Sequence, residues 1–251
     1  MSPSERQVVA VTGVTSGIGR GIATAFAAAG AAVVGSGRRT DKGEEVEAAL
    51  RAESHDFTFV PSDVQCVAEC AAFVDAVVAR HGHIDVFVNN AGTVGPDPAA
   101  GWDEIDEEIW DTVVDTNMKG TFFSTQAALR VMRARGQGVI INIGSGAGEI
   151  LAPEMPQYRA SKAGAMFMSR AIALAAAPLG VRVHTIVMYR VVSEAGDRVL
   201  ASRLVGVDPR EAEWIREETA ATGVTADEVG AAMVKLVKYP SFLVGPNFVV
   251  R

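Results

Sequence analysis

The chain reads as an α/β protein built on a doubly wound parallel sheet of about seven strands, with helices on both faces. Three observations predict this. Apolar strand-like runs recur near 8–12, 31–35, 57–60, 84–88, 138–143, 181–187 and 247–250, and helical patterns lie between them near 18–29, 40–53, 65–81, 103–134, 157–178 and 225–238. Such alternation implies parallel strands joined by crossover helices. A glycine cluster follows the first strand directly and opens the first helix, as a sheet that binds its ligand beyond the strands' carboxyl ends requires. No tandem repeat or low-complexity linker divides the 251 residues. One domain over 1–251 is therefore expected.

The first strand is the apolar run Val8-Val9-Ala10-Val11-Thr12, short enough for a buried strand. Gly13-Val14-Thr15-Ser16-Gly17-Ile18-Gly19 comes next, then the alanine-rich stretch Arg20–Ala29, which has strong helix propensity. Glycines at such a junction let the backbone turn sharply and approach a pyrophosphate, while amides at the helix start face its charge. The spacing is G-x-x-x-G-x-G rather than the commoner G-x-G-x-x-G. The second strand leads into Gly35-Ser36-Gly37-Arg38-Arg39, with no acidic residue between Ala31 and Thr40. An acid at that strand end would accept from an adenosine ribose and favour NAD. Arg38 and Arg39 instead offer charge to a 2′-phosphate, so NADP(H) is preferred over NAD(H).

Asp63, in Pro61-Ser62-Asp63-Val64, is placed to cap a helix starting near Gln65. His81 and His83 flank Gly82 in what reads as a solvated loop rather than a metal pair. Asn89-Asn90-Ala91-Gly92 ends the strand Ile84–Val88. The acidic stretch Asp103–Asp111 suits a helix start rather than a metal site, and no metal is expected. Ser145 closes the strand Val139–Ile143, and Tyr158 and Lys162 lie four apart on the following helix, hence on one face. An ammonium beside a phenol favours the phenolate and brings a group of pKa about 10 nearer neutrality. With a serine hydroxyl to bond the reacting oxygen, the trio is equipped to interconvert a carbonyl and an alcohol. His184 reads as a structural histidine in a core strand. The segment 191–223 is charged, with a helical patch at Glu211–Glu218.

Thr12-Gly13-x-x-x-Gly17-Ile18-Gly19, Asn89-Asn90-Ala91-Gly92, Asn117, Ser145 and Tyr158-x-x-x-Lys162 occur in one order along nearly the whole chain. In this the chain resembles the short-chain dehydrogenase/reductase family, whose fold is Rossmann-like. The resemblance implies Tyr158 as general acid in reduction or base in oxidation. It implies Lys162 lowering the tyrosine pKa and bonding the nicotinamide ribose, Ser145 orienting the carbonyl, and Asn117 holding a proton-relay water. Gly13, Thr15, Ser16, Gly17, Ile18, Gly19, Asn90, Ala91 and Gly92 would hold the dinucleotide. Asp63 and Val64 would meet the adenine, and Val191 and Ser193 the carboxamide. About 188–223 would be a substrate lid. The family's Pro-Gly pair after the strand Val181–Val187 is replaced by Met188-Tyr189-Arg190, which leaves Tyr189 and Arg190 to shape an unusual pocket. Pro98, Pro153 and Pro156 suggest rigid rims.

The expectation is an NADPH-dependent ketoreductase of a small or medium carbonyl substrate. Alternatives are an NAD(P)-dependent alcohol dehydrogenase working oxidatively, a reductase of an imine or enone, or a non-catalytic NADP-binding sensor or scaffold. The net charge of −7 gives no global attraction to nucleic acid or anionic membrane. The apolar segment Ala163–Leu179 is interrupted by Arg170 and too weak to span a bilayer. It reads as a helix between the sheet and a partner subunit, in a homodimer or homotetramer. The polar start and only two cysteines, Cys66 and Cys70, suggest a reducing cytoplasmic setting.

Overall fold

The computed structural model describes residues 6–96, 101–204, 206–238 and 247–250; Pro98 lies outside them. Seven parallel strands form one sheet in the order β3-β2-β1-β4-β5-β6-β9. They are β1 (Val8–Thr12), β2 (Ala32–Gly37), β3 (Phe57–Pro61), β4 (Val86–Asn89), β5 (Gly138–Ser145), β6 (Val181–Met188) and β9 (Asn247–Val250). The order reverses between β1 and β4, and that switch point opens a crevice at the carboxyl ends of the strands.

Strands β1, β2 and β4 are buried on both faces, so alternate residues feed two cores. Val9 and Val11 point to one side with Ile22 and Phe26 of α1 (Gly17–Ala28), Val46 and Leu50 of α2 (Thr40–Ala52) and Met233 of α9 (Ala226–Lys238). Val8 and Ala10 point to the other, with Phe73 and Val77 of α3 (Val67–His81), Met132 of α5 (Gly120–Arg135) and Ala176 of α6 (Pro156–Ala176). The largely apolar strand runs in the sequence are the consequence of this two-sided burial.

Four sequence expectations need correction. The helical pattern over 103–134 is one continuous run that starts later, from an Asp106 cap, and is divided by a π-helical turn at Asp115–Lys119 into α4 (Glu107–Val114) and α5. Periodicity cannot report such a turn, because it inserts only one residue's worth of rotation. Asp63 does not cap a helix. Its Oδ1 accepts from the Gln65 amide at 3.0 Å, a local turn, and α3 starts two residues later from Cys66. His83 is not loose in solvent: its Nε2 lies 3.1 Å from Asp85 Oδ2. The segment after β6 carries more than a helical patch. It holds β7 (Val191–Val192), α7 (Glu194–Arg203), α8 (Pro209–Thr222) and β8 (Val224–Thr225), with β7 and β8 paired in parallel. Cys66 is exposed and Cys70 buried, both free thiols.

Helices α1 and α9 touch backbone to backbone. A Cβ on Gly21 would stand 2.4 Å from Ala226 O, and one on Gly230 would stand 2.5 Å from Gly21 O. Neither neighbour is a flexible side-chain end, so the helices must separate to admit a methyl group. Gly21→Ala is therefore expected to destabilise the chain by about 1–3 kcal/mol, visible as a lower midpoint in urea unfolding.

Candidate active site

A cleft of about 310 Å³ lies over the carboxyl ends of β1, β2 and β4. Of the residues nominated for a dinucleotide, Gly13, Thr15, Ser16, Gly17, Ile18, Gly19, Arg38, Arg39, Asp63, Val64, Asn90, Ala91, Gly92 and Ser193 line it. Tyr158, Lys162 and Val191 are not part of its lining. Val191 packs partly buried against the core instead. Gly92 joins the cleft to the second group of residues, since a Cβ there would stand 3.2 Å from Asn117 Oδ1 and 3.5 Å from Lys162 Nζ. The sequence did not single out Thr93, Val94, Thr116 or Arg198, which also line the cleft. Thr93, Val94 and Thr116 adjoin motif residues and could have been read from them. Arg198 lies in the uninformative segment after β6 and carries no local signal.

The glycine turn is built by close approach. Gly13 has φ +74°, and a Cβ on Gly19 would stand 2.1 Å from Gly13 O. Asn90 Nδ2 donates to Thr12 O and Gly13 O, both at 3.0 Å, while the Asn90 and Ala91 amides donate to Thr12 Oγ1 at 3.1 and 3.0 Å. Ser16, at the N-cap of α1, makes no capping bond with its side chain. The first turn of α1 thus keeps its amide donors and positive dipole end for an anion. Glycines where side chains would collide, an uncapped helix start and a lined cleft fit the pyrophosphate of a dinucleotide.

Arg39 donates from Nε and Nη2 to Thr15 Oγ1 at 3.2 and 3.0 Å, and from Nη2 to Ser16 Oγ at 2.7 Å. Two neutral hydroxyls hold the guanidinium at the cleft without neutralising it. Arg38 stands 4.0 Å from Asp63 Oδ2, with more than half of its side chain exposed, a weak pairing. Gly37 lies where an acid would sit, and a Cβ there would stand 2.8 Å from Thr15 Cγ2.

The second group surrounds α6. Lys162 is buried, its Nζ donating to Ile143 O at 3.1 Å and lying 6.0 Å from the centre of the Tyr158 ring. Burial pulls Lys162 down to about 8. Burial likewise raises Tyr158 above its ordinary value, against smaller downward pulls from a hydrogen bond with Ser145 and the charge of Arg159. Burial thus reverses the expectation of a tyrosine depressed by its lysine neighbour, because desolvation disfavours the phenolate. Ser145 Oγ accepts from the Ala147 amide at 3.2 Å, which fixes it at the mouth of β5. Asn117 sits in the π-helical turn, buried. Its side chain accepts from Thr93 N at 2.8 Å and donates to Thr93 O at 2.8 Å and Ser161 Oγ at 3.0 Å.

The segment that replaces Pro-Gly is folded, not distorted. Met188 ends β6 in the core. The Tyr189 ring lies against Gly146, where a Cβ would stand 2.3 Å from Tyr189 Cδ1, and its hydroxyl donates to Glu149. Arg190 reaches α8, with Nη1 3.0 Å from Glu218 Oε1 and donating to Thr222 Oγ1 at 2.6 Å.

No described helix is long and apolar enough to cross a membrane, and no three described His, Cys, Asp or Glu are placed to hold a metal. The family model for the short chain dehydrogenase matches residues 7–202. A chain assigned as ketoacyl reductase of the monensin polyketide synthase of Streptomyces virginiae is 36% identical over 213 residues, 84% of this chain and 80% of that one. D-threitol dehydrogenase of Mycolicibacterium smegmatis is 34% identical over 192 residues, covering 76% and 73%. A crystal structure of a substituted actinorhodin polyketide ketoreductase with NADPH superposes with a TM-score of 0.89 at 30% identity, over 100% of this chain and 97% of that one. Sheet order, glycine turn and these likenesses converge: the chain belongs to the short-chain dehydrogenase family and is an oxidoreductase of carbonyl or alcohol groups.

Proposed function

We propose that the chain is an NADPH-dependent ketoreductase, reducing a carbonyl of a small or medium organic substrate to a secondary alcohol. The observation that carries this reading is the Tyr158 ring 6.0 Å from the buried Lys162 ammonium, which bonds Ile143 O on the strand that ends at Ser145. A protonated phenol beside a serine hydroxyl is a proton donor to a carbonyl oxygen, which is the reductive direction. When bound, the nicotinamide supplies the hydride. Tyr158 gives the proton to the oxygen on which charge develops, and Ser145 donates to that oxygen and fixes its place. Lys162 supplies positive charge that steadies Tyr158 after it has given up its proton. Asn117 braces the strand-end residue Thr93 against α6 and holds the relay to solvent.

Arg39 supports the preference for the 2′-phosphate, because it stands at the cleft with hydroxyl partners only and no carboxylate occupies position 37. An NADPH-bound structure of a family relative, the actinorhodin enzyme, is in keeping with this. The substrate would enter over Gly146, between the Tyr189–Glu149 pair and the lid formed by the segment after β6. Phe167 and Leu174 on α6 are 73% and 81% exposed. Such apolar exposure supports a homodimer or homotetramer. The free thiols of Cys66 and Cys70 suit a reducing cytoplasm. A single domain suits a chain whose seven main strands form one continuous sheet.

Tyr158→Phe is expected to remove turnover with ketones while the dissociation constant for NADPH stays within about twofold; wild-type turnover would refute the assignment. Arg39→Ala is expected to raise KM for NADPH about tenfold or more and leave KM for NADH unchanged, whereas a wild-type preference for NADH would overturn the cofactor reading. Lys162 tests the electrostatics through stability. Its folded pKa of about 8 lies below the unfolded value of 10.5, so the unfolded chain binds more protons between them and this group's penalty eases as pH rises. Lys162→Met is expected to raise the melting temperature at pH 7. The gain should shrink as pH is raised from about 8, and a gain constant to pH 9.5 would contradict the buried charge.

A further inference from the structure

Arg198 is a half-buried charge whose place neither the motifs nor the reacting group explains. It sits on α7, lines the cleft beside Thr93, Val94 and Ser193, and donates from Nη2 to Gly95 O and Pro96 O, both at 2.6 Å. The span is 102 and 103 residues in sequence. It therefore ties the segment after β6 to the strand-end loop on the far side of the cleft. The helix that carries it is anchored at its start. Ser193 caps α7 by accepting from the Gly196 amide at 3.1 Å, and a Cβ on Gly17 would stand 3.7 Å from Ser193 Cβ. At the base, β7 pairs with β8, and Arg190 is bound to Glu218 and Thr222. The start of α7 thus faces the start of α1 across the glycine turn, with Arg198 about one turn in.

We infer that Arg198 is a ligand of the dinucleotide pyrophosphate, donated by the segment after β6 and held in the cofactor-free chain by the carbonyls of Gly95 and Pro96. This rests on the proposed dinucleotide reading and deepens it. The two carbonyls are neutral acceptors, whereas a diphosphate is anionic and matches the planar guanidinium fork. Exchange of one for the other is therefore favourable. The ligand is the diphosphate rather than the 2′-phosphate or the substrate, because the cleft that Arg198 lines contains the glycine turn and excludes Ser145 and Tyr158. Arg39, bonded to Thr15 and Ser16, already serves the position beside β2.

The test is isothermal titration of the full chain and of Arg198→Ala and Arg198→Lys with NADP+, NAD+ and adenosine 2′-monophosphate. The last carries the 2′-phosphate without a pyrophosphate. Arg198→Ala should weaken both dinucleotides by the same factor, about tenfold, and leave adenosine 2′-monophosphate unchanged. Arg198→Lys should recover part of the loss, since the charge remains while the fork is gone. Unchanged dinucleotide affinity would overturn the inference. So would a loss confined to NADP+, or an equal loss for adenosine 2′-monophosphate, which would mean that the cleft itself had collapsed. Tighter binding of NAD+ than NADP+ by the wild type would instead sink the NADPH reading and leave the equal-factor result standing.

Discussion

The site depends on a knot of side-chain-to-backbone hydrogen bonds between two strand ends. Thr12 Oγ1 accepts two amides from the Asn90-Ala91 turn, and the Asn90 side chain returns two bonds to Thr12 and Gly13. Each such bond is worth only about 1 kcal/mol net, yet together they fix the end of β1 against the end of β4. The knot closes only because Gly19 has no side chain, its Cβ position being filled by Gly13 O and the Asn90 amide. With the turn so tied, α1 starts at the crevice and aims its uncapped amides into it. The cleft, the placement of Arg39 and the approach of Ser193 to Gly17 all follow from that start.

Burial at the neighbouring group opposes stability. An ammonium at 7% exposure, with a backbone carbonyl bonded to its Nζ, loses hydration that Ile143 O alone does not replace. The same desolvation raises Tyr158 and lowers Lys162 to about 8, so burial moves the two groups apart and leaves the phenol the weaker acid. The π-helical turn serves the same group: it sets Asn117 inward, between Thr93 and Ser161, at the one point where α4 and α5 depart from regular pitch.

Met188-Tyr189-Arg190 shows how one local change is absorbed by the tertiary structure. A Pro-Gly pair would shape this wall through fixed and free backbone angles. Here the wall is made by side chains. Tyr189 covers Gly146 next to Ser145, and Arg190 holds α8 through Glu218 and Thr222. The Arg190–Glu218 pair is only about two-thirds buried, so it contributes on the order of 1 kcal/mol or less. Its main effect is positional, since it fixes the base of the segment whose helix carries Arg198.

The sequence by itself determined the sheet, because two-sided burial writes strands as continuous apolar runs and crossover helices as the stretches between them. It also determined the glycine turn and the positions of Ser145, Tyr158 and Lys162, which are local in spacing. Tertiary structure alone decided what depends on partners far along the chain. The π-helical turn around Asn117 escaped because a one-residue insertion leaves the hydrophobic pattern intact. Asp63 became a local turn rather than a cap because α3 starts at Val67. The direction of the Tyr158 shift was set by burial, which no four-residue spacing encodes. Arg198 was invisible because its partners, Gly95 and Pro96, lie about a hundred residues away, and a charge on a polar helix carries no sign of what it will face until the chain has closed around it.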